Sequence, residues 1–294
     1  MDQLIEAVVS GLALAAPLFL GASGLAMIFG VMHTFDFSYG ALFMYGAYLV
    51  VTILDGEAVG VLVFGAAVIG AALVVGAVAG FNEWLVFRRL AGREHITTML
   101  GSFALLLVLT GIAATIWGPA GRTQAQTRQL DGSVTIGGAQ VATYDLALIG
   151  VGAVVGVGMY VLMTRTRFGL EMRAVAHDRS TASALGVRST AVGAGVFVVG
   201  GMLAGLAGGL SAPLYAITPE LAAAFILQSF IVVVIGGLGS IPGAVVASLL
   251  LGTVNGFLVV FLPEFSDFGI YAVTALVLLV RPQGLFGLSE KVAA

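Results

Sequence analysis

The chain has 294 residues, of which 60% are hydrophobic and only 9% charged, against about 25% charged residues in water-soluble domains; a water-soluble protein is excluded. A formal charge of −3 with no basic stripe leaves no nucleic-acid-binding surface, and the absence of cysteine rules out disulfides, thiolate metal sites and catalytic thiols. The 42 glycines in so apolar a chain let helices approach backbone to backbone and permit helix breaks where neighbours or water satisfy the freed amides.

In chain order, the first residues carry Asp2 and Glu6 and no basic residue, unlike the positive leading region of a cleaved signal peptide, so the first apolar segment is expected to persist as a helix. Apolar runs close to or beyond the ~18–20 residues that cross a hydrocarbon core predict nine crossings, at about 7–31, 37–54, 58–86, 96–117, 144–164, 191–212, 221–238, 242–262 and 266–281. Arg88, Arg89 and Arg93 share one loop, Arg165, Arg167, Arg173, Arg179 and Arg188 another, and Arg281 and Lys291 the C-terminal stretch. By the positive-inside rule these ten of the twelve basic residues are cytoplasmic, leaving Arg122 and Arg128 outside. The C-terminus is then inside. The N-terminus is outside if all nine segments span and inside if one is re-entrant. The expected fold is an all-α polytopic membrane protein of 8–9 transmembrane helices, one transmembrane domain over 1–294.

The first break between helices holds His33, Asp36, Phe37, Ser38, Tyr39 and Gly40. An acid facing lipid costs at least about 2.5–3.5 kcal/mol, so Asp36 and His33 are expected to face water, a partner or a pore; a wet cytoplasmic turn and a gate or solute path both fit. The external segment 118–143 contains Leu130-Asp131-Gly132-Ser133 followed by Val134-Thr135-Ile136, a turn dipeptide beside alternating β-formers, which predicts a small hairpin. It reads either as a solvated connector or as a docking surface for an external partner.

The cytoplasmic segment 165–190 sets Met172, Ala176, Ala182, Leu185 and Val187 as a short apolar stripe among charges, compatible with one or two surface helices, the second ending at Gly186. Asp178 is placed to cap the second. Such helices either lie along their own membrane domain or enter a groove on another protein. His177 and Asp178 stand too far in sequence from the other histidines, His33 and His95, to imply metal or catalytic chemistry. Further on, Gln228 and Ser229 are polar in mid-helix, where side chains seek an interhelical or solute hydrogen bond. Gly236, Gly237, Gly239 and Gly243, with Ser240 and Pro242 among them, predict a break or tight turn. Ile28-Phe29-Gly30 with Gly40-Ala41 is echoed by Ile235-Gly236-Gly237 with Gly243-Ala244. Paired glycine-broken segments in two halves of a chain point to a translocation pathway.

Three stretches carry a resemblance. They are Arg173-Ala174-x-Ala176-x-Asp178 with Ala182-x-x-Leu185-Gly186-Val187, then Ile235-Gly236-Gly237-Leu238-Gly239-Ser240-Ile241-Pro242-Gly243-Ala244, and Arg281-Pro282-Gln283-Gly284-Leu285-Phe286-Gly287. In this order, across nearly the whole chain, the sequence resembles the branched-chain amino-acid permease family of ABC importers. The resemblance implies a bacterial inner-membrane subunit with two glycine-broken repeat halves, paired with a second, homologous permease, two ATPase subunits and an extracytoplasmic solute-binding protein. It further implies that Arg173, Ala174, His177, Asp178, Ala182, Leu185 and Gly186 grip an ATPase. The implied cargo is branched-chain or other amino acids, with amides and urea served by relatives. One stretch departs from the family: Asp36-Phe37-Ser38-Tyr39-Gly40-Ala41 stands where an Asn-Phe-Ala-His-Gly sequence and a following acid are usual, which bears on the solute more than on the fold.

No nucleotide site is expected in this chain, because a P-loop needs Gly-x-x-x-x-Gly-Lys-Ser/Thr and the single lysine is Lys291; ATP and Mg²⁺ would be bound by partner subunits, and the chain itself is not an enzyme. The rival reading is an ion-coupled secondary transporter, which would carry membrane-embedded acids.

Overall fold

The computed structural model describes residues 2–281 and 283–286, without the side chain of Asp267. Gly287 and Lys291 lie outside the described residues. The helices are α1 (Asp2–Met32), α2 (Tyr39–Leu54), α3 (Val61–Asn82), a π-helical turn (Glu83–Phe87), α4 (Arg88–Leu90) and α5 (His95–Trp117), followed after the hairpin by α6 (Thr143–Arg165), α7 (Arg167–His177) and α8 (Arg179–Ala184), then α9 (Ser189–Ser211), α10 (Leu221–Gly236), α11 (Ile241–Phe261) and α12 (Ser266–Val280). Six stretches built on α1, α3, α5, α6, α9 and α11 are long and apolar enough to cross a membrane, while α2, α10 and the Phe268–Val280 part of α12 are shorter apolar helices. At 1.5 Å per residue α1 is about 46 Å long and α2 and α10 about 24 Å each.

The helices sort into a centre and a rim. α9 packs against both α1 and α2, with α11 along α1 and α3 along α9. These contacts rest on glycine: a Cβ added at Gly11 would stand 2.7 Å from the carbonyl oxygen of Gly252, and one at Gly46 would stand 2.4 Å from that of Gly205. Without side chains between them the backbones meet directly, the packing that replaces hydrophobic drive inside lipid. The rim turns large apolar side chains outward, among them Leu62, Leu100, Leu107, Val154 and Leu279. Helices apolar on every side suit a bundle with lipid around it.

The hairpin is present, but its turn is not at Asp131-Gly132. β1 (Ser133–Ile136) and β2 (Ala139–Ala142) pair antiparallel, Ile136 opposite Ala139. The turn is Gly137-Gly138, with φ of 60° and 99°, because a two-residue hairpin loop of this kind needs positive φ at both central residues. Gly132 closes the base instead, its carbonyl accepting from the Thr143 amide at 2.9 Å. Asp2 and Ile5 abut Gly138 and Gly137, so the N-terminus shares the hairpin's face. On that face Arg128 Nε donates to the Ala58 carbonyl at 2.7 Å and Arg122 Nη2 to that of Trp117 at 3.5 Å. Arg122 thus satisfies the last carbonyl of α5, and Arg128 one in the loop between α2 and α3. The opposite face carries α4, α7, α8 and both glycine breaks.

Candidate functional site

The first break folds back into the bundle. His33, at φ 52°, ends α1 on the surface, its amide donating to the Phe29 carbonyl at 2.7 Å. From there the chain climbs inward. The amide of Phe37 donates to Ser102 Oγ at 3.1 Å, and Ser102 is the eighth residue of α5. Tyr39 Oη reaches the carbonyl of Gly200, halfway along α9, at 3.1 Å, and a Cβ at Gly24 would lie 2.2 Å from that hydroxyl. α2 therefore starts inside the bundle and not at its surface. Asp36 lies on the climb, 2% exposed. Its Oδ1 accepts from the Ser38 amide at 2.9 Å and from Ser38 Oγ at 2.5 Å, while Oδ2 is buried with no protein partner. The two ionisable residues grouped in the sequence are thus separated, His33 in solvent and Asp36 within. Phe35 sits between the rings of Phe29 and Phe230, with centroids at 4.7 and 4.9 Å.

The second break is made of backbone. α10 ends at Gly236, Gly237 and Gly239 take φ of 101° and 79°, and Ser240 caps α11, its Oγ accepting from the Gly243 amide at 3.1 Å. A Cβ at Gly243 would stand 2.0 Å from the Gly236 carbonyl oxygen, and a Cβ at Gly239 would stand 3.2 Å from the Cα of Gly30. The two breaks therefore touch. The C-terminal stretch completes the corner: the amides of Leu285 and Phe286 donate to the carbonyls of Ile235 and Gly236 at 2.7 and 3.1 Å. These are among the carbonyls a helix end leaves without an internal partner. Gln228 lines a cavity of about 360 Å³ between α1, α10, α11 and α12, whereas Ser229 is buried beside Gly21, its hydroxyl without a protein partner.

Segment 165–190 folds as α7 and α8. Thr166 caps α7, accepting from the Gly169 amide at 3.1 Å. Asp178 closes α7 and caps α8, accepting from the amides of Ser180 at 2.8 Å and Thr181 at 3.2 Å and from the Thr181 hydroxyl. The Thr181 hydroxyl first, and then these amides, hold its carboxyl down at about 2. Gly186, at φ 90°, ends the turn, with the Val187 amide returning to the Ala182 carbonyl at 3.0 Å. The buried stripe is Met172, Val175 and Ala182. Leu185 is not part of it: lying three residues past Ala182, where α8 has already ended, it projects outward and is 80% exposed. Ala174, His177 and Gly186 are also exposed, and Arg173 Nη1 binds the Met163 carbonyl, fastening α7 to the end of α6.

Two features escape sequence reading. Ser102 joins the first break from 65 positions away, and a lone serine in an apolar helix gives no sign of its partner. Asn82 and Glu83 are buried where α3 passes into the π-helical turn Glu83–Phe87; such turns often sit at functional places.

A family model described as the permease component of branched-chain amino acid transport systems matches residues 7–279. The high-affinity branched-chain amino acid transport system permease protein BraD of Pseudomonas aeruginosa is 28% identical over 300 residues, covering 97% of this chain and 96% of its own length. The corresponding protein LivH of Escherichia coli K12 is 26% identical over 298 residues, with the same coverage. A probable branched-chain amino acid transport permease protein of Methanocaldococcus jannaschii is 26% identical over 297 residues, covering 93% of this chain and 90% of its own. No solved structure matches the chain.

Proposed function

The chain belongs to the family of branched-chain amino acid transport permease components, and from that premise we propose that it is the membrane-spanning subunit of an ABC importer for branched-chain or closely related amino acids. In this reading 1–294 forms one domain in the inner membrane, with 118–143 outside and 165–190 and the C-terminus in the cytoplasm. Its partners are a second permease, two ATPases that bind ATP and Mg²⁺, and an external solute-binding protein. Amides and urea are the nearest alternative cargoes.

One observation carries the mechanism: two corners, a side-chain-bonded one after α1 and a glycine-built one after α10, touch at Gly30 and Gly239 on the face that also presents α7 and α8. Each corner turns an inward-running helix into an outward-running one, which supports two related halves and nine crossings. ATPase closure would push on the exposed Leu185, Gly186, His177 and Ala174. The push passes through α7, fastened by Arg173 to α6, and Ala182 seats α8. The helices then tilt about the paired corners, so that the site alternates between faces. His33, Asp36, Phe37, Ser38, Tyr39 and Gly40 form one side of the gate, Gly236, Gly237, Gly239, Ser240 and Gly243 the other, and Gln228 lines the path above.

A second reading, an ion-coupled secondary transporter, draws support from Asp36, a buried carboxylate with one unpaired oxygen. Proteoliposomes separate the two. Uptake of leucine that needs ATP, both ATPases and the binding protein is the expected result. Uptake by this chain alone under a proton gradient would establish the second reading and overturn the first.

A further inference from the structure

The cavity of about 360 Å³ is distinct from both corners. Several of its walls come from helix ends on the hairpin's face: Ser211 is the last residue of α9, Ser266 the first of α12, and Val259 lies two residues before the end of α11. Deeper in, the rings of Phe43 and Phe225 stack with centroids 3.4 Å apart, 2% and 4% exposed. The lining combines neutral hydrogen-bonding groups, Ser211, Gln228, Asn255 and Tyr271, with aliphatic and aromatic ones, Leu18, Phe43, Phe225 and Ile270. No charged side chain lines it among the described residues. The hydroxyl of Ser211 is the telling group: the residue is 2% exposed, and its Oγ has no protein partner. Buried polar atoms are ordinarily paired, so an orphan that lines a cavity marks a place for a ligand or water to complete.

We infer that this cavity holds one aliphatic amino acid in transit, its carboxylate and ammonium met by the hydroxyl of Ser211 and the amides of Gln228 and Asn255, its side chain against Phe43 and Phe225. The inference rests on the proposed transport reading and adds to it a site, a ligand class and the residues that select it. The volume is at the small end of the roughly 300–1,000 Å³ range of small-molecule sites, which suits a single residue-sized solute. Serine hydroxyls and side-chain amides both donate and accept, so neutral groups can serve both ends of a zwitterion. A lining without a counter-charge among the described residues keeps the hold weak, as a conduit requires: favourable enough to enter, loose enough to leave. The polar lining disfavours a lipid chain as occupant.

The test uses the assembled, reconstituted importer. The chain has no native cysteine, so Ser211→Cys introduces a single thiol into it. Its modification by a small polar methanethiosulfonate reagent is expected to slow at least fivefold in the presence of saturating leucine. In parallel, Ser211→Leu and Asn255→Leu, which fill the cavity, are expected to lower leucine uptake about tenfold or more while the assembled complex is recovered at wild-type yield. Labelling of Ser211→Cys that leucine does not slow overturns the inference however uptake turns out, and wild-type uptake in both leucine variants overturns it as well. Failure of the wild-type importer to move leucine at all strikes the transport reading instead, and is distinguished by being a property of the unaltered complex.

Discussion

The two corners do one geometric task by opposite means. Residues 33–38 are held by side chains: Asp36 binds Ser38, Ser102 reaches across from α5, and Tyr39 reaches Gly200. Residues 236–243 are held by the lack of side chains, with backbone against backbone at Gly236 and Gly243 and again at Gly30 and Gly239. A corner tied by hydrogen bonds loses energy bond by bond and keeps its path. A corner made by steric contact has no slack, and any added atom must move a helix. The glycine corner is thus the rigid pivot and the polar one the adjustable arm.

The sharpest way to break that contrast is Gly243→Ala. Its methyl would lie 2.0 Å from the Gly236 carbonyl oxygen, so the loss should exceed the ~1–3 kcal/mol usual for overpacking. Little folded protein is expected in size-exclusion chromatography after detergent extraction, and a normal monodisperse yield would show that the corner yields. Next comes Asp36→Ala, which leaves the Ser38 amide and hydroxyl buried without their acceptor and should cost about 1–3 kcal/mol, seen as a lowered Tm. Asp36→Asn keeps an acceptor oxygen and should stay close to wild type in Tm; if its uptake falls nonetheless, the carboxylate serves transport apart from structure. Ser102→Ala removes the side chain that hydrogen-bonds α5 to the break and should cost about 1 kcal/mol. A Tm drop as large as that of Asp36→Ala would mean that the arm is as unforgiving as the pivot. The smallest effect is expected at Asp178→Ala, which uncaps α8 on the exposed face. Because the Asp178 carboxyl is held down at about 2, its contribution is fully present above the ordinary carboxylate pKa of about 3.9. It fades as pH falls through that lower value. Amide exchange across α8 should therefore rise in the variant at pH 7 and differ little from wild type near pH 2.

Much of this was legible in the residues and some could not be. Apolar length located every long helix to within a few positions, and the basic clusters gathered on one face as the charge pattern requires. Asp178 caps α8, a role its chemistry announces. Depth was hidden. That Tyr39 begins α2 beside Gly200, 161 positions away, depends on how six residues climb after His33, and nothing local records it. Helices apolar on all sides also lack the stripe that tells inside from outside, so Phe43 facing Phe225 and Ser211 lining a cavity had no signal. Where a local rule misled, a stronger one prevailed: Gly137-Gly138 outbid Asp131-Gly132 for the turn because both central positions need positive φ, and Leu185 left the apolar stripe because α8 stops one residue short of it.

The bond between the Leu285 amide and the Ile235 carbonyl has a consequence for the order of events during synthesis. The end of α10 is made some fifty residues before the segment that covers its carbonyls, so through the insertion of α11 and α12 the pivot exists without its latch. The contact of Gly236 with Gly243 already sets the angle between α10 and α11 at that stage, and residues 284–286 then supply the amides that the exposed carbonyls of Ile235 and Gly236 await.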